Sequence, residues 1–391
     1  MSLSKILKIL RRGSMRKSLV LFALFVIFTL GAASCTTPET PKTTETPSSS
    51  PTPEASPGAS GQTEVGGITH PDEKHLANIK QLTFGGENAE AYWSSDGKQI
   101  TLQSTHGDYK CDQIFTISAD GGEMKLVSTG KGRTTCSYFY PDGKKILFAS
   151  THGAKPDCPA PADMSQGYVW AIYPDYDIYT ANPDGSDLKP LAQSPGYDAE
   201  ATISPDGKKI VFTSTRDGDL DLYVMDADGS NVKRLTNTPG YDGGAFFSPD
   251  GKQIVYRARH PEGNELAEYQ TLLKKNLVRP SKMEIFIMEA DGSGQRQLTT
   301  IGSANFAPFF TPDGQKIIFA SNYADTEGKG RNFDLFMVSA EDGTNMERIT
   351  YSPGFDAFPM FSPDGKKLVW ASNRNGKVKG ETNVFVADWV N

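Results

Sequence analysis

Along most of the chain, short apolar runs alternate with polar residues at period two, and pairs of such runs are separated by one recurring polar phrase. Around residue 206 the pattern is clearest: the alternating runs 199–203 and 209–214 flank Ser204-Pro205-Asp206-Gly207-Lys208. Alternation of this length predicts half-buried strands. Pro presets φ near about −65° and Asp-Gly supplies the left-handed residue a tight hairpin needs. Equivalent phrases stand at Ser94-Ser95-Asp96-Gly97-Lys98, Tyr140-Pro141-Asp142-Gly143-Lys144, Ser248-Pro249-Asp250-Gly251-Lys252, Thr311-Pro312-Asp313-Gly314-Gln315 and Ser362-Pro363-Asp364-Gly365-Lys366, with Asp-to-Asp spacings of 46, 64, 44, 63 and 51. A second turn follows in four of the units, at Asn182-Pro-Asp-Gly-Ser186, Asp226-Ala-Asp-Gly-Ser230, Glu289-Ala-Asp-Gly-Ser293 and Ala340-Glu-Asp-Gly-Thr344. The least interrupted unit therefore predicts four strands, a at 199–203, b at 209–214, c at 220–226 and d at 231–235.

Six four-stranded repeats at this period predict an all-β chain, a six-bladed β-propeller of antiparallel blades. The last repeat stops at its third strand, Asn383-Val-Phe-Val-Ala-Asp388, while Ile79-Lys-Gln-Leu-Thr83 matches the d segments Lys233-Arg-Leu-Thr236 and Arg348-Ile-Thr350. The N-terminal strand is thus expected to complete blade 6 and close the ring, removing an exposed sheet edge.

Composition adds an address. Basic residues up to Lys17, the apolar run 19–30 and Gly31-Ala-Ala-Ser-Cys35 read as an export signal. Its end resembles a bacterial lipoprotein signal, with Ala32 where that motif carries Leu. The resemblance implies a signal peptide over 1–34 and lipidation of Cys35. Residues 35–67 are Thr, Pro, Ser and Glu with almost nothing to bury, which predicts a flexible spacer before a propeller over 68–391. His70 and His75, near its end, read as solvated. Six basic and no acidic residues precede Cys35, so the formal −7 of the whole chain becomes about −13 after processing. That balance disfavours nucleic acid and anionic lipid as partners.

The unit R-L-T, x-P-G-Y-D, S-P-D-G-K, I-V-F-x-S-x-R, D-L-Y-x-M-D-x-D-G-S resembles the TolB-type propeller repeat, a relative of WD repeats, over residues 79–391. The resemblance implies a periplasmic protein that docks envelope protein partners. It places this chain in the cell envelope as a monomer, held by lipid alone. Thr36 after the cysteine, in place of Asp, resembles the outer-membrane sorting pattern of enteric bacteria.

In such blades the a–b and c–d turns share one rim and the b–c and d–a loops the other. All the long insertions fall between b and c, at 153–175, 261–282 and 324–332, which marks that rim as the working face. The second insertion predicts a helix over 264–277 with Leu266, Tyr269, Leu273 and Leu277 on one stripe, ended by Pro280. The first carries Tyr168, Trp170, Tyr173 and Tyr176. Both fit lids over the channel, and both fit covers for blade edges.

Comparing the repeats with one another exposes two columns. Eight residues before each turn Asp stand Asn88, Thr134, Asp198, Asp242, Asn305 and Asp356; just after strand b stand His106, His152, Arg216, His260, Tyr323 and Arg374. Blades 3 and 6 pair Asp with Arg, the pattern of a loop-fixing ion pair, while His in blades 1, 2 and 4 could carry a ligand or pH response. Two residues further on, at the same strand parity, come Glu90, Cys136, Glu200, Gly244, Ala307 and Phe358. With Asp198, Asp242 and Asp356 these predict an acidic channel mouth suited to a cationic group.

Propeller lyases acting on oligogalacturonides resemble this repeat and hold manganese with histidines. His106 and His152 lie on adjacent blades but His260 lies across the ring, so no metal or other cofactor is expected. In an exported chain Cys111 and Cys158, in neighbouring b–c loops, are the preferred disulfide pair, with Cys136 left as a thiol. No nucleophile elbow, zinc-protease helix, phosphate loop or dinucleotide fingerprint occurs. These readings favour a non-catalytic protein- or peptide-binding propeller. The alternatives are a polysaccharide lyase or hydrolase working from the acidic channel, and an accessory subunit of a separate peptidase.

Overall fold

The computed structural model describes residues 67–325 and 330–391. The signal segment, Cys35 and the spacer up to residue 66 lie outside the described residues, as do residues 326–329 of the third insertion. Among the described residues, six four-stranded antiparallel sheets form the blades of a ring. Blade 3 consists of Asp198–Ile203, Lys209–Ser214, Asp221–Asp226 and Lys233–Arg234, in that order across the sheet. Its hairpin turn follows from its residues: Ser204 donates to Asp206 Oδ1 at 2.7 Å, the Lys208 amide reaches the same carboxylate at 3.1 Å, and Gly207 takes φ 70°.

Blade 6 is built from both ends of the described chain. Leu76–Gln81 pairs antiparallel with Asn383–Trp389, with Leu76 opposite Trp389 and Gln81 opposite Phe385. The ring closes as the repeat pattern requires. Large aromatic side chains fill the blades and seams, among them Trp370, Tyr256, Phe212 and Phe385, all fully buried. Truncating one to Ala would cost about 3–5 kcal/mol.

Two predicted elements change. The fourth strands of blades 1, 3, 4 and 5 are only two residues long, as in Lys233–Arg234. The Leu-Thr that follows in blades 3 and 4 keeps one main-chain bond to strand c, as from Leu235 to the Leu222 carbonyl at 2.8 Å, and its Thr side chain caps that strand. Thr236 Oγ1 accepts the Leu222 amide at 2.9 Å, and Thr350, Thr299 and Thr83 repeat this at 2.8, 2.9 and 2.9 Å. The insertion helix, α1, spans Gly263–Leu273 and stops before the expected Leu277. Asn276, at φ 56°, turns the chain, and Leu277–Val278 becomes a strand paired with Trp170–Ala171 of the first insertion.

Each strand a contains a bulge. Pairing with strand b shifts register after the second residue, and the third residue is left-handed: Glu90, Cys136, Glu200, Gly244, Ala307 and Phe358 all have φ between 50° and 58°. Only Gly takes this conformation without cost; the other five sit there at about 1–2 kcal/mol each. Sixfold repetition makes the bulge a feature of the ring, and it decides which side chains reach the channel.

Candidate binding rim and channel

The two long insertions emerge on the same rim and are knitted together. Besides the Trp170–Ala171 and Leu277–Val278 pairing, the Ile172 amide donates to the Asn276 carbonyl at 2.8 Å. Arg279 donates to the carbonyls of Gln166 and Tyr168. Tyr269 of α1 is buried, and its hydroxyl meets Asp219 at 2.5 Å and the Gly240 carbonyl at 2.6 Å. A Cys111–Cys158 disulfide ties the first insertion to the b–c loop of blade 1, leaving Cys136 as the free thiol among the described residues. Trp170 stacks over the Arg257 guanidinium at 5.2 Å and meets Tyr241 and Phe306 edge-on. Arg257 lines the channel, so the insertions cover its mouth as well as the blade edges.

The first column does not face that channel. Asn88, Thr134, Asp198, Asp242, Asn305 and Asp356 are all buried between blades. Their main-chain amides donate to carbonyls that precede strand c of the preceding blade, as from Asp198 to Tyr176 at 3.0 Å, Asp242 to Leu220 at 2.9 Å and Asp356 to Phe333 at 2.8 Å. Their side chains tie down the loops. Asp198 accepts from Arg216 at 3.0 Å, Asp356 from Arg374 at 2.8 Å, and Asp242 meets His260 at 3.0 Å. Asn88 accepts from Ser104 at 2.7 Å, and Asn305 donates to the Met283 carbonyl at 2.8 Å. The expectation of an acidic mouth that included Asp198, Asp242 and Asp356 is therefore corrected. The left-handed bulge breaks the parity rule, so residues one and three of strand a point to different places.

The three histidines also part company. Burial works against the His260 cation, but the hydrogen bond and charge of Asp242 hold its pKa above the ordinary imidazole value. His152 instead contacts Ser150 at 2.7 Å and packs on Tyr179, with its pKa lowered by burial and by Lys131. The His106 ring meets Phe115 edge-on. Among the described residues no group of three or more His, Cys, Asp or Glu side chains could hold a metal ion.

Five of the second column do line the channel: Glu90, Cys136, Glu200, Gly244 and Ala307 wall it with Tyr92, Phe246 and Arg257, while Phe358 packs on Phe306 and Phe355. The charge of the channel is largely cancelled. Glu200 is ion-paired to Arg257 and accepts from Thr213 at 2.7 Å, the Gly244 amide at 2.9 Å and Tyr241 at 3.2 Å. Glu90 is bonded by Tyr92, and burial pushes its pKa up to about 7 against that bond and Arg257, with Glu200 raising it further. Burial, with Glu90 and Glu200, also pushes the Cys136 thiol well above its ordinary value, so it is no nucleophile at neutral pH. Gly244 is required where it is, because a Cβ there would stand 2.0 Å from Arg257 Nη1. Sequence reasoning missed Arg257, although a signal existed: at the fourth apolar-run position of strand b the other blades carry Gln103, Ala149, Thr213, Ala320 and Ala371.

Two further sets of carboxylates were also missed. Asp221 and Asp334 open strand c and pair with Arg234 at 2.6 Å and Arg348 at 2.9 Å, the arginines of the R-L-T segment. Burial raises Asp221 to about 6 and Asp334 to about 7 against those cations. Buried Glu73 makes two 3.0 Å contacts with Arg374 and accepts the Tyr351 amide at 3.0 Å, so Glu73, Arg374 and Asp356 lock the closing strand to the ring. His75 is not solvated as expected: it bonds the Val390 carbonyl at 2.7 Å and Glu347 at 2.9 Å and stacks on Trp389. Its partners come from the last strand and blade 5, which sequence spacing alone does not bring near.

Residues 171–278 match the TolB beta propeller domain family. The Tol-Pal system protein TolB of Bordetella pertussis is 27% identical over 146 residues, covering 28% of this chain and 33% of that protein. Dipeptidyl-peptidase 5 of Porphyromonas gingivalis is 33% identical over 82 residues, 20% of this chain and 12% of that protein. The chain thus spans about a third or less of the length of these curated relatives. A solved structure assigned as TolB from Agrobacterium tumefaciens matches the fold with a TM-score of 0.51 at 21% identity, covering 80% of this chain and 97% of that one.

Proposed function

Because this ring is a TolB-type β-propeller, we propose that it is a non-catalytic docking module of the cell envelope which holds a protein or peptide partner on its b–c rim. The observation that carries the reading is the joined lid. Two insertions from blades 2 and 4 meet over the channel mouth and present Tyr168 and Met164, both more than half exposed, with Tyr323 of blade 5 exposed on the same rim. Exposed aromatic and Met side chains on a rigid rim are the composition of a protein contact. Tol-Pal TolB proteins among the relatives support an envelope protein partner. The relative named as a peptidase matches over only 12% of its length, which leaves its chemistry outside the comparison.

The channel supports binding over catalysis in a second way. Its carboxylates are committed, Glu200 to Arg257 and Glu90 to Tyr92, so the cation-seeking mouth on which a lyase or hydrolase reading depended is largely neutral. The lipoprotein-like segment ending at Cys35 supports an anchored reading. The test is affinity capture from the native envelope with the full chain and with a Met164→Ser, Tyr168→Ser variant of unchanged denaturation midpoint. The wild type should retain a stoichiometric protein that the variant loses at least tenfold. Equal capture by both, or turnover of a glycan by the purified chain, would overturn the proposal.

A further inference from the structure

We propose that one corner of the b–c rim, where blades 6 and 1 meet, rests against an anionic lipid surface. Phe84 and Val378 are the two most exposed of the large apolar side chains, at 71% and 68%. They stand on adjacent loops, and these loops are not slack. Buried Glu381 accepts the Gly85 amide at 3.1 Å and the Asn383 amide group at 2.9 Å through one oxygen, and the Lys377 and Val378 amides at 2.8 and 3.3 Å through the other. The Thr382 amide then bonds the Gly86 carbonyl at 3.2 Å. One buried carboxylate thus fixes both loops while their apolar side chains stay in water, an arrangement that costs free energy unless something covers them.

The flanking residues say what covers them. Val378 lies between exposed Lys377 and Lys379; the Glu381 carboxylate is turned inward, and Glu87 also stands beside the loop, its carboxylate 3.7 Å from where a Cβ on Gly380 would stand. Apolar tips framed by lysines fit the interface of an anionic bilayer, where the tips enter the headgroup layer and the ammonium groups stay at its surface. The position of the tether points the same way. The Ile68 carbonyl accepts from Arg374 Nη1 at 3.1 Å, so the chain leaves the ring three residues before Lys377. The inference rests on the anchored reading, and it adds a contact beyond the anchor that net charge alone argues against.

The test uses the full-length chain on vesicles of phosphatidylethanolamine and phosphatidylglycerol, with a benzophenone amino acid in place of Phe84, Val378, Tyr168 or Lys98. Flotation, with Cys35→Ser as its control, reads the anchor; lipid adducts read the corner. Adducts at positions 84 and 378 should exceed those at 168 and 98 at least tenfold and fall at least threefold with Lys377→Glu, Lys379→Glu. A chain that floats with level adducts at all four positions overturns the corner contact alone. A chain that does not float removes the anchored reading and this inference with it. Adducts at 84 and 378 that form only to protein, when envelope vesicles replace pure lipid, would assign the corner to a protein partner instead.

Discussion

In each blade, strand a sends its first side chain into the seam between blades, and in blades 1, 2, 3 and 5 its third side chain lines the channel. Asp198 and Glu200 show what two residues can separate. Asp198 is fully buried and bonded by Arg216 and Ser194, a fastening between loops; Glu200 is held in the channel wall by Arg257 reaching across from blade 4. Strand alternation alone would put both on one face. The left-handed third residue rotates the chain between them, and the ring acquires two concentric sets of polar groups, one that holds the blades and one that lines the hole.

The fastening set should be the costlier to disturb. Arg374 serves Asp356 and Glu73 together in a buried seam, so Arg374→Ala removes the shared cation of two buried carboxylates and is expected to lower stability by about 3–5 kcal/mol, read from urea unfolding. In the channel wall, Arg257→Ala leaves Glu200 with its Thr213, Tyr241 and Gly244 bonds. A smaller loss, about 2 kcal/mol, is expected. A result that reverses this order would break the distinction between the two sets.

The bulge itself can be tested with one substitution at two positions. Ala307 occupies the left-handed site at φ 52°, whereas Ala199 is a regular ladder residue opposite Thr213. Ala307→Gly relieves backbone strain and should be neutral within about 1 kcal/mol, while Ala199→Gly should destabilise by about 1 kcal/mol. Equal losses would show that the third residue is not strained.

The last effect concerns pH. The folded pKa of Glu90, about 7, lies above its ordinary 4.5. The folded chain therefore holds this proton more tightly than the unfolded one, and the Glu90 contribution to stability declines as pH rises between those values. The stability of wild type relative to Glu90→Gln should fall from pH 4.5 to 7 and level off above about 8. A difference flat across that range would place Glu90 in a more polar setting than the channel wall.

The repeat pattern made the ring legible because each hairpin declares itself locally. Proline, Asp-Gly and alternating flanks need no distant partner, and even ring closure could be read from a d segment displaced to the N-terminus. The two columns were legible as columns, since internal alignment needs only the repeat. Which column faces the channel was not, because a bulge residue such as Glu200 or Phe358 carries no composition signal that it is left-handed; only Gly244 hints at it. The helix boundary failed for a related reason: Leu277 continues the helical stripe, yet its hydrogen-bond partner lies more than a hundred residues away in Trp170–Ala171. Glu73 and His75 were hidden because their partners come from the far end of the chain and from blade 5.

The claim that one rim receives the partner is most directly tested by photo-crosslinking in living cells, with a benzophenone amino acid placed in the full-length chain at Tyr168 on the lid or at Lys98 on the opposite rim. A discrete protein adduct at 168, absent at 98, is the expected result. Adducts at 98 with none at 168 would contradict it, and would move the working face to the Asp-Gly turns.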